Sequence, residues 1–147
     1  MNQAVFAATA MLAGGAFLAL QAPTNAMLAR GLGSAINATL VSFVIGSVFL
    51  VFVAGALNVR PDPASVRALP WWAWLGGLYG AVLVAGTAYA APKIGVTAAL
   101  TLVVAGQFFV SVALDHYGAM GMSERPVSLT KMAGLLLIAG GVFLVRR

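Results

Sequence analysis

Long apolar runs broken by short polar stretches make up nearly the whole chain, at about residues 4–22, 36–57, 71–91, 96–114 and 129–145. A helix needs about 20 apolar residues to cross the hydrocarbon layer of a bilayer, and each run is close to that length. The pattern predicts an all-α integral membrane protein of five transmembrane helices in a single transmembrane domain over 1–147. The first run is read as a span and not as a cleaved signal, because no positive residue precedes it and further apolar runs follow.

The polar residues that interrupt these runs are the candidate chemistry. In LQAPTNAMLAR, Pro23 is expected to kink or end the first helix and to free carbonyls near Leu18 and Ala19. Gln21 and Asn25 bracket it; their amides either satisfy that broken backbone or contact a substrate in a central cavity. Ser34 and Asn37 are expected to cap the second span, and Ser42 with Gly46 forms a small-residue packing pair. The loop NVRPDPASVRALP reads as extended and aqueous, with Asp62 a solvated charge balancing Arg60 or Arg67.

In PWWAWLGGLYG the tryptophans form an interfacial belt or, with Trp72 and Tyr79 seven apart, one aromatic wall of a ligand site. Gly76 and Gly80, continued by Gly86, predict close packing of this helix on another backbone. Pro92-Lys93 reads as a very short turn that makes the third and fourth spans antiparallel neighbours. In the fourth span, Gln107, Ser111 and Asp115 recur every four residues and share one helical face. An unpaired amide at mid-depth is costly, so Gln107 is expected either to bond a neighbouring helix or to line a substrate path. Asp115 and His116, at the end of the helix, are a cap or a proton relay. In the fifth span Lys131 can snorkel at one end and Arg146-Arg147 fix the other, while Gly134 and Gly141 give a smooth face suited to a second copy.

Composition narrows the class. The chain is 62% hydrophobic and 7% charged, with a mean hydropathy of +1.01, which leaves no room for a separate soluble domain. It has no cysteine and one histidine, so thiolate and multi-histidine metal sites are excluded and no cofactor is expected. There is no nucleophile-base arrangement and no phosphate loop, which argues against an enzyme. The net charge of +5 comes from basic residues scattered singly between apolar runs, a pattern of membrane flanks and not of a nucleic-acid interface.

Counted by side, the basic residues say more. With five spans, Arg60, Arg67, Arg125 and Lys131 fall on one face and Arg30, Lys93, Arg146 and Arg147 on the other. Four against four leaves the positive-inside rule no bias to act on. The chain is therefore expected to insert both ways and to pair as an antiparallel homodimer, a ten-helix inverted-repeat bundle of the kind from which secondary transporters are built.

The Leu20-Gln21 pair with Asn25, then PWWAWLGGLYG, AAPKIG, Gly106-Gln107, LDHYG and the closing glycine-rich helix resemble the YdcZ-type half-length proteins of the drug/metabolite transporter superfamily. The resemblance covers essentially the whole chain. It implies a five-helix protein of the bacterial inner membrane, often of dual topology, related to one half of the ten-helix transporters. It also implies that the first four helices line a cavity and the fifth supports the dimer. The chain departs from the shorter small multidrug resistance relatives, which export cations with a glutamate embedded in the first helix. Here the first span holds no acid and no carboxylate sits at mid-depth.

What remains is a cavity of amides, hydroxyls and aromatics, suited to a small neutral, zwitterionic or amphipathic solute carried by alternating access. Asp115 is expected to pair across the dimer with Arg30, Lys93 or Arg146 of a second copy. A non-transporting scaffold, with every amide consumed by protein hydrogen bonds and no cavity, and a parallel oligomeric channel are the competing classes.

Overall fold

The computed structural model describes residues 2–145. Arg146 and Arg147, assigned above to the end of the fifth span and, for Arg146, to a pair with Asp115, lie outside the described residues. Among the described residues the chain is helical and has no strand. Its elements are α1 (Gln3–Leu32), α2 (Ala35–Ala56), α3 (Pro63–Ala68), a 3-10 turn (Trp71–Leu75) running into α4 (Gly76–Ile94), α5 (Val96–Tyr117) and α6 (Leu129–Val145). Four stretches are long and apolar enough to cross a membrane: Gln3–Leu32, Ala35–Ala56, Trp71–Ile94 and Val96–Tyr117. The fifth, α6, is apolar but has 17 residues. At about 1.5 Å per residue it spans about 26 Å, slightly less than a hydrocarbon layer of about 30 Å. The chain divides into two compact units, 1–92 and 93–147.

In the first unit, α1 runs through Pro23 and on to Leu32, where the sequence predicted a stop or kink. Proline is tolerated inside an apolar helix when neighbours make up for the hydrogen bond that its missing N–H removes. Here the bond lost is the one to the Ala19 carbonyl, and it is not replaced by Thr24, whose hydroxyl donates instead to the Leu20 carbonyl at 2.8 Å. The segment past Pro23 is held by packing, since Asn25 and Ala26 are buried. α1 ends at Gly33, whose φ of 69° is a left-handed conformation that glycine adopts without strain. Ser34 then caps α2, accepting from the N–H groups of Ile36 at 3.2 Å and Asn37 at 3.4 Å. The cap is Ser34 alone; Asn37 is an exposed residue inside α2.

α1 and α2 pack as an antiparallel hairpin. The buried residues of α2 are Ala38 and Thr39, and those of α4 are Val84, Thr87, Ala88 and Ala91. The core of this unit is thus built on alanine, the small-residue packing of helices that have only lipid as an alternative neighbour. A Cβ added at Gly80 would lie 3.3 Å from the Phe43 ring of α2, so Gly80 makes room for a side chain and not for a backbone. Gly76 and Gly86 have open space where a side chain would be, as do Gly134, Gly140 and Gly141 of α6.

The 58–70 loop is not extended throughout. Asp62 caps α3, its carboxylate accepting from the Ser65 N–H at 2.9 Å, the Ser65 hydroxyl at 2.7 Å and the Ala64 N–H at 3.4 Å. Its partner is a helix start, not Arg60 or Arg67, because the Asp-Pro sequence puts an acceptor at the cap and proline at the first helical position.

In the second unit α5 packs on α6. Pro92 and Lys93 lie inside α4, and the chain leaves that helix at Gly95, with φ 85°. α5 ends at Gly118, with φ 56°. The connection to α6 is tied back to the end of α5: the Arg125 N–H donates to the Asp115 carbonyl at 2.7 Å, and the Val127 N–H to His116 Nδ1 at 3.4 Å. Ser128 caps α6, accepting from the Lys131 N–H at 3.2 Å.

Candidate functional site

Asn25 is the largest fully enclosed side chain among the described residues, 1% exposed. It lies eight residues before Gly33 and Ser42 eight residues after Ser34, so the hairpin brings the two level. At 1.5 Å per residue that is about 12 Å from the turn, within the middle of a bilayer about 30 Å thick when the turn sits at its surface. The Ser42 hydroxyl donates to Asn25 Oδ1. The other amide atom, Nδ2, is buried and has no partner. A buried donor left unmet costs about 1–3 kcal/mol, and in an apolar surround the penalty is not relieved by solvent.

The hydroxyls of the spans behave differently. Thr39 donates to the Ala35 carbonyl at 2.8 Å, Thr87 to Val84 at 3.0 Å, Thr101 to Thr97 at 2.7 Å and Ser111 to Phe108 at 3.0 Å. A hydroxyl reaches the carbonyl one turn back on its own helix and is satisfied there. These groups are therefore spent, whereas half of the Asn25 amide is not.

The remaining predicted residues fall into distinct places. Gln21 is half-buried one turn before Asn25, and Gln107 is exposed on α5. Trp72 is half-buried within the 3-10 turn, and Tyr79 is 55% exposed on α4. Trp72 thus lies in the 3-10 winding and Tyr79 in the α-helix that continues it. Trp71 and Trp74 are 75% and 62% exposed, as an interfacial belt requires.

Ser111 and Asp115 do share a face of α5, and both line a groove of about 480 Å³ against α6, with Lys131 and Gly134 on the other wall. Gln107 is not among its lining residues. Asp115 finds its partner within the chain: Lys131 Nζ lies 3.5 Å from its carboxylate and also donates to the Arg125 carbonyl at 3.2 Å. Sequence reasoning placed Lys131 as a snorkelling flank; in the structure it starts α6 beside the end of α5, within reach of Asp115. His116 is engaged as an acceptor by the loop, and its ring meets Tyr117 edge-on at 4.8 Å.

A second groove, of about 390 Å³, runs between α2 and α4 and is lined by Ile36, Leu40, Phe43, Val82 and Ala85 with the already satisfied Thr39. Among the described residues no group of three or more His, Asp or Glu side chains could hold a metal ion. Ser42 was legible only as a packing residue; its pairing with Asn25 follows from their equal distance from the hairpin turn, a signal that needs the turn position first.

The profile of the family described as "Putative inner membrane exporter, YdcZ" matches residues 6–144. No curated protein and no solved structure matches the chain. The matched stretch takes in α2 to α5 whole and nearly all of α1 and α6, with the Asn25–Ser42 pair and the Asp115–Lys131 connection, and the chain belongs to this YdcZ family of the inner membrane.

Proposed function

We propose that the protein is a secondary-active exporter of small neutral, zwitterionic or amphipathic compounds, working by alternating access between two oppositely oriented copies. Family membership supports export. The observation that carries the reading further is the unspent donor of Asn25 at mid-depth. A scaffold gains nothing from an amide buried with half its hydrogen-bonding capacity unmet, whereas a transporter needs polar groups held in reserve along its path. The solute class follows from the charges. No carboxylate lies at mid-depth to attract a permanent cation and no Lys or Arg to attract a small anion. Asp115 stands at a helix end with its charge already met by Lys131.

In this reading all five apolar helices cross the membrane, α6 with Lys131 at its edge, and the open glycine face of Gly134 and Gly141 packs on the second copy. His116 and Asp115 are the acid-base pair available for proton coupling.

The test is flux from proteoliposomes loaded with a mixture of neutral, zwitterionic, cationic and anionic metabolites and read by mass spectrometry. Protein-dependent loss of neutral or zwitterionic members, abolished by Asn25→Leu, is expected. Loss confined to cations, or no loss with correctly inserted protein, overturns the reading.

A further inference from the structure

We infer that Asn25 and Ser42 form a latent recognition site for an oxygen acceptor of the solute, a carbonyl or carboxylate, reached when α1 bends at Pro23. This rests on the exporter reading above and assigns the group that meets the solute.

The Asn25 amide is 1% exposed within a single chain, and its Nδ2 has no partner. Neither lipid nor a second copy docked on the surface can reach that donor; only a rearrangement of the helices around it can. The closed packing thus carries an unmet hydrogen bond that an open, ligand-filled packing would satisfy, which is the differential interaction a ligand needs to shift a conformational equilibrium.

α1 is weakest at the right level. Pro23, two residues before Asn25, leaves the Ala19 carbonyl without its helical N–H, and the Thr24 hydroxyl pulls on the neighbouring Leu20 carbonyl at 2.8 Å. Both features bend helices. The surface that must part is made of Ala22 and Ala26 on α1 and Ala38 on α2, side chains too short to interlock. On opening, Nδ2 offers its N–H donors and the Ser42 hydroxyl can turn from Oδ1 to the same ligand atom. Donors of this kind, with no carboxylate beside them, select a solute that presents an acceptor oxygen and reject a quaternary cation, which has none.

The cysteine-free chain allows a direct test in proteoliposomes. Ser42→Cys, and separately Ala38→Cys as a second position, fully buried in the same packing, are reacted with 2-sulfonatoethyl methanethiosulfonate, a water-borne thiol reagent. Ala64→Cys, in the exposed loop helix, is the control. Minor states of two-state proteins are populated at about 0.1–10%, so reaction at position 42 is expected at about that fraction of the control rate. Pro23→Ala restores one backbone hydrogen bond and should slow reaction at 42 about two- to tenfold without changing the control. N-acetylglycinamide, a neutral amide, should protect position 42, and tetramethylammonium should not.

Absence of reaction at both 42 and 38 with a reactive control overturns the opening. Reaction indifferent to Pro23→Ala overturns the hinge. Protection by neither solute, or by both equally, overturns acceptor recognition. None of these readouts needs transport, so flux in the mixed-metabolite assay with no reaction at 42 would remove this site and leave the exporter reading standing.

Discussion

Ser42 on α2 gives its hydroxyl hydrogen to the amide oxygen of Asn25 on α1, and nothing meets the amide nitrogen. The two ends of one side chain are thus in opposite energetic states, and substitutions at the two positions should separate them. Ser42→Ala strands the amide oxygen as well and should cost about 1–3 kcal/mol. Asn25→Leu removes the unmet donor and leaves the Ser42 hydroxyl free to turn to a carbonyl of its own helix; the larger side chain adds some overpacking, so the change should cost less than Ser42→Ala. Thermal unfolding in detergent measures both. A folded Asn25→Leu protein that has lost flux would mark the amide as kept for function.

The connection between α5 and α6 depends on Gly118. Its φ of 56° strains any side chain, and an added Cβ would stand 2.6 Å from Glu124 Cγ and 3.1 Å from the Met122 carbonyl oxygen. Gly118→Ala should cost about 1–3 kcal/mol and loosen the loop that engages Asp115 and His116. Limited proteolysis between 119 and 128 would show faster cleavage than in the unsubstituted protein.

Gly141→Leu makes the complementary prediction. Nothing lies within 4 Å of a Cβ at that position in one chain, so helix content and monomer stability should be unchanged. If that face packs on a second copy, the bulk should weaken self-association, read as loss of the cross-linked dimer in bilayers. An unchanged dimer would place the interface elsewhere.

Asp115 and Lys131 are both partly exposed, with side chains 43% and 34% accessible. Such a pair is worth about 0.2–1 kcal/mol and is weakened by salt. Asp115→Asn and Lys131→Met should each lower the melting temperature slightly at low salt. The double variant should lose less than the sum, since one interaction is removed only once.

The Ser65 hydroxyl, then the Ser65 and Ala64 N–H groups, hold the Asp62 carboxyl below its ordinary value. A depressed carboxyl stabilises the fold fully above the unfolded pKa of about 3.9 and loses that contribution as pH falls through the lower folded value. α3 should therefore fray in acid, seen as faster amide exchange at Ala64 and Ser65. Asp62→Asn should abolish the pH dependence.

Span positions were legible because apolar length is a direct consequence of bilayer thickness; α2, α5 and α6 begin within one residue of where the pattern puts them. α1 runs on past Ala22, where the pattern ended it, because proline propensity, learned from water, overstates the stop in an apolar helix whose continuation buries Asn25 and Ala26. α3 was encoded in Asp62-Pro63 and overlooked against the prolines around it. For the site, Asn25 could be picked out as an amide inside a span, but its burial and its single partner depend on the register of the hairpin. Gln107 has the same chemistry and is exposed in the single chain, which no feature of α5 alone distinguishes. Asp115 was sought across a dimer; within the single chain Lys131 of the next helix already stands 3.5 Å from it.

Orientation tests the central claim, that two opposed copies build the exporter. Single cysteines in the 58–70 loop and near the end of α6, labelled from outside intact cells, should each react partially, because Lys and Arg are balanced four against four between the faces. Labelling at one position only would contradict the antiparallel homodimer and require either a parallel assembly or a different, oppositely oriented partner.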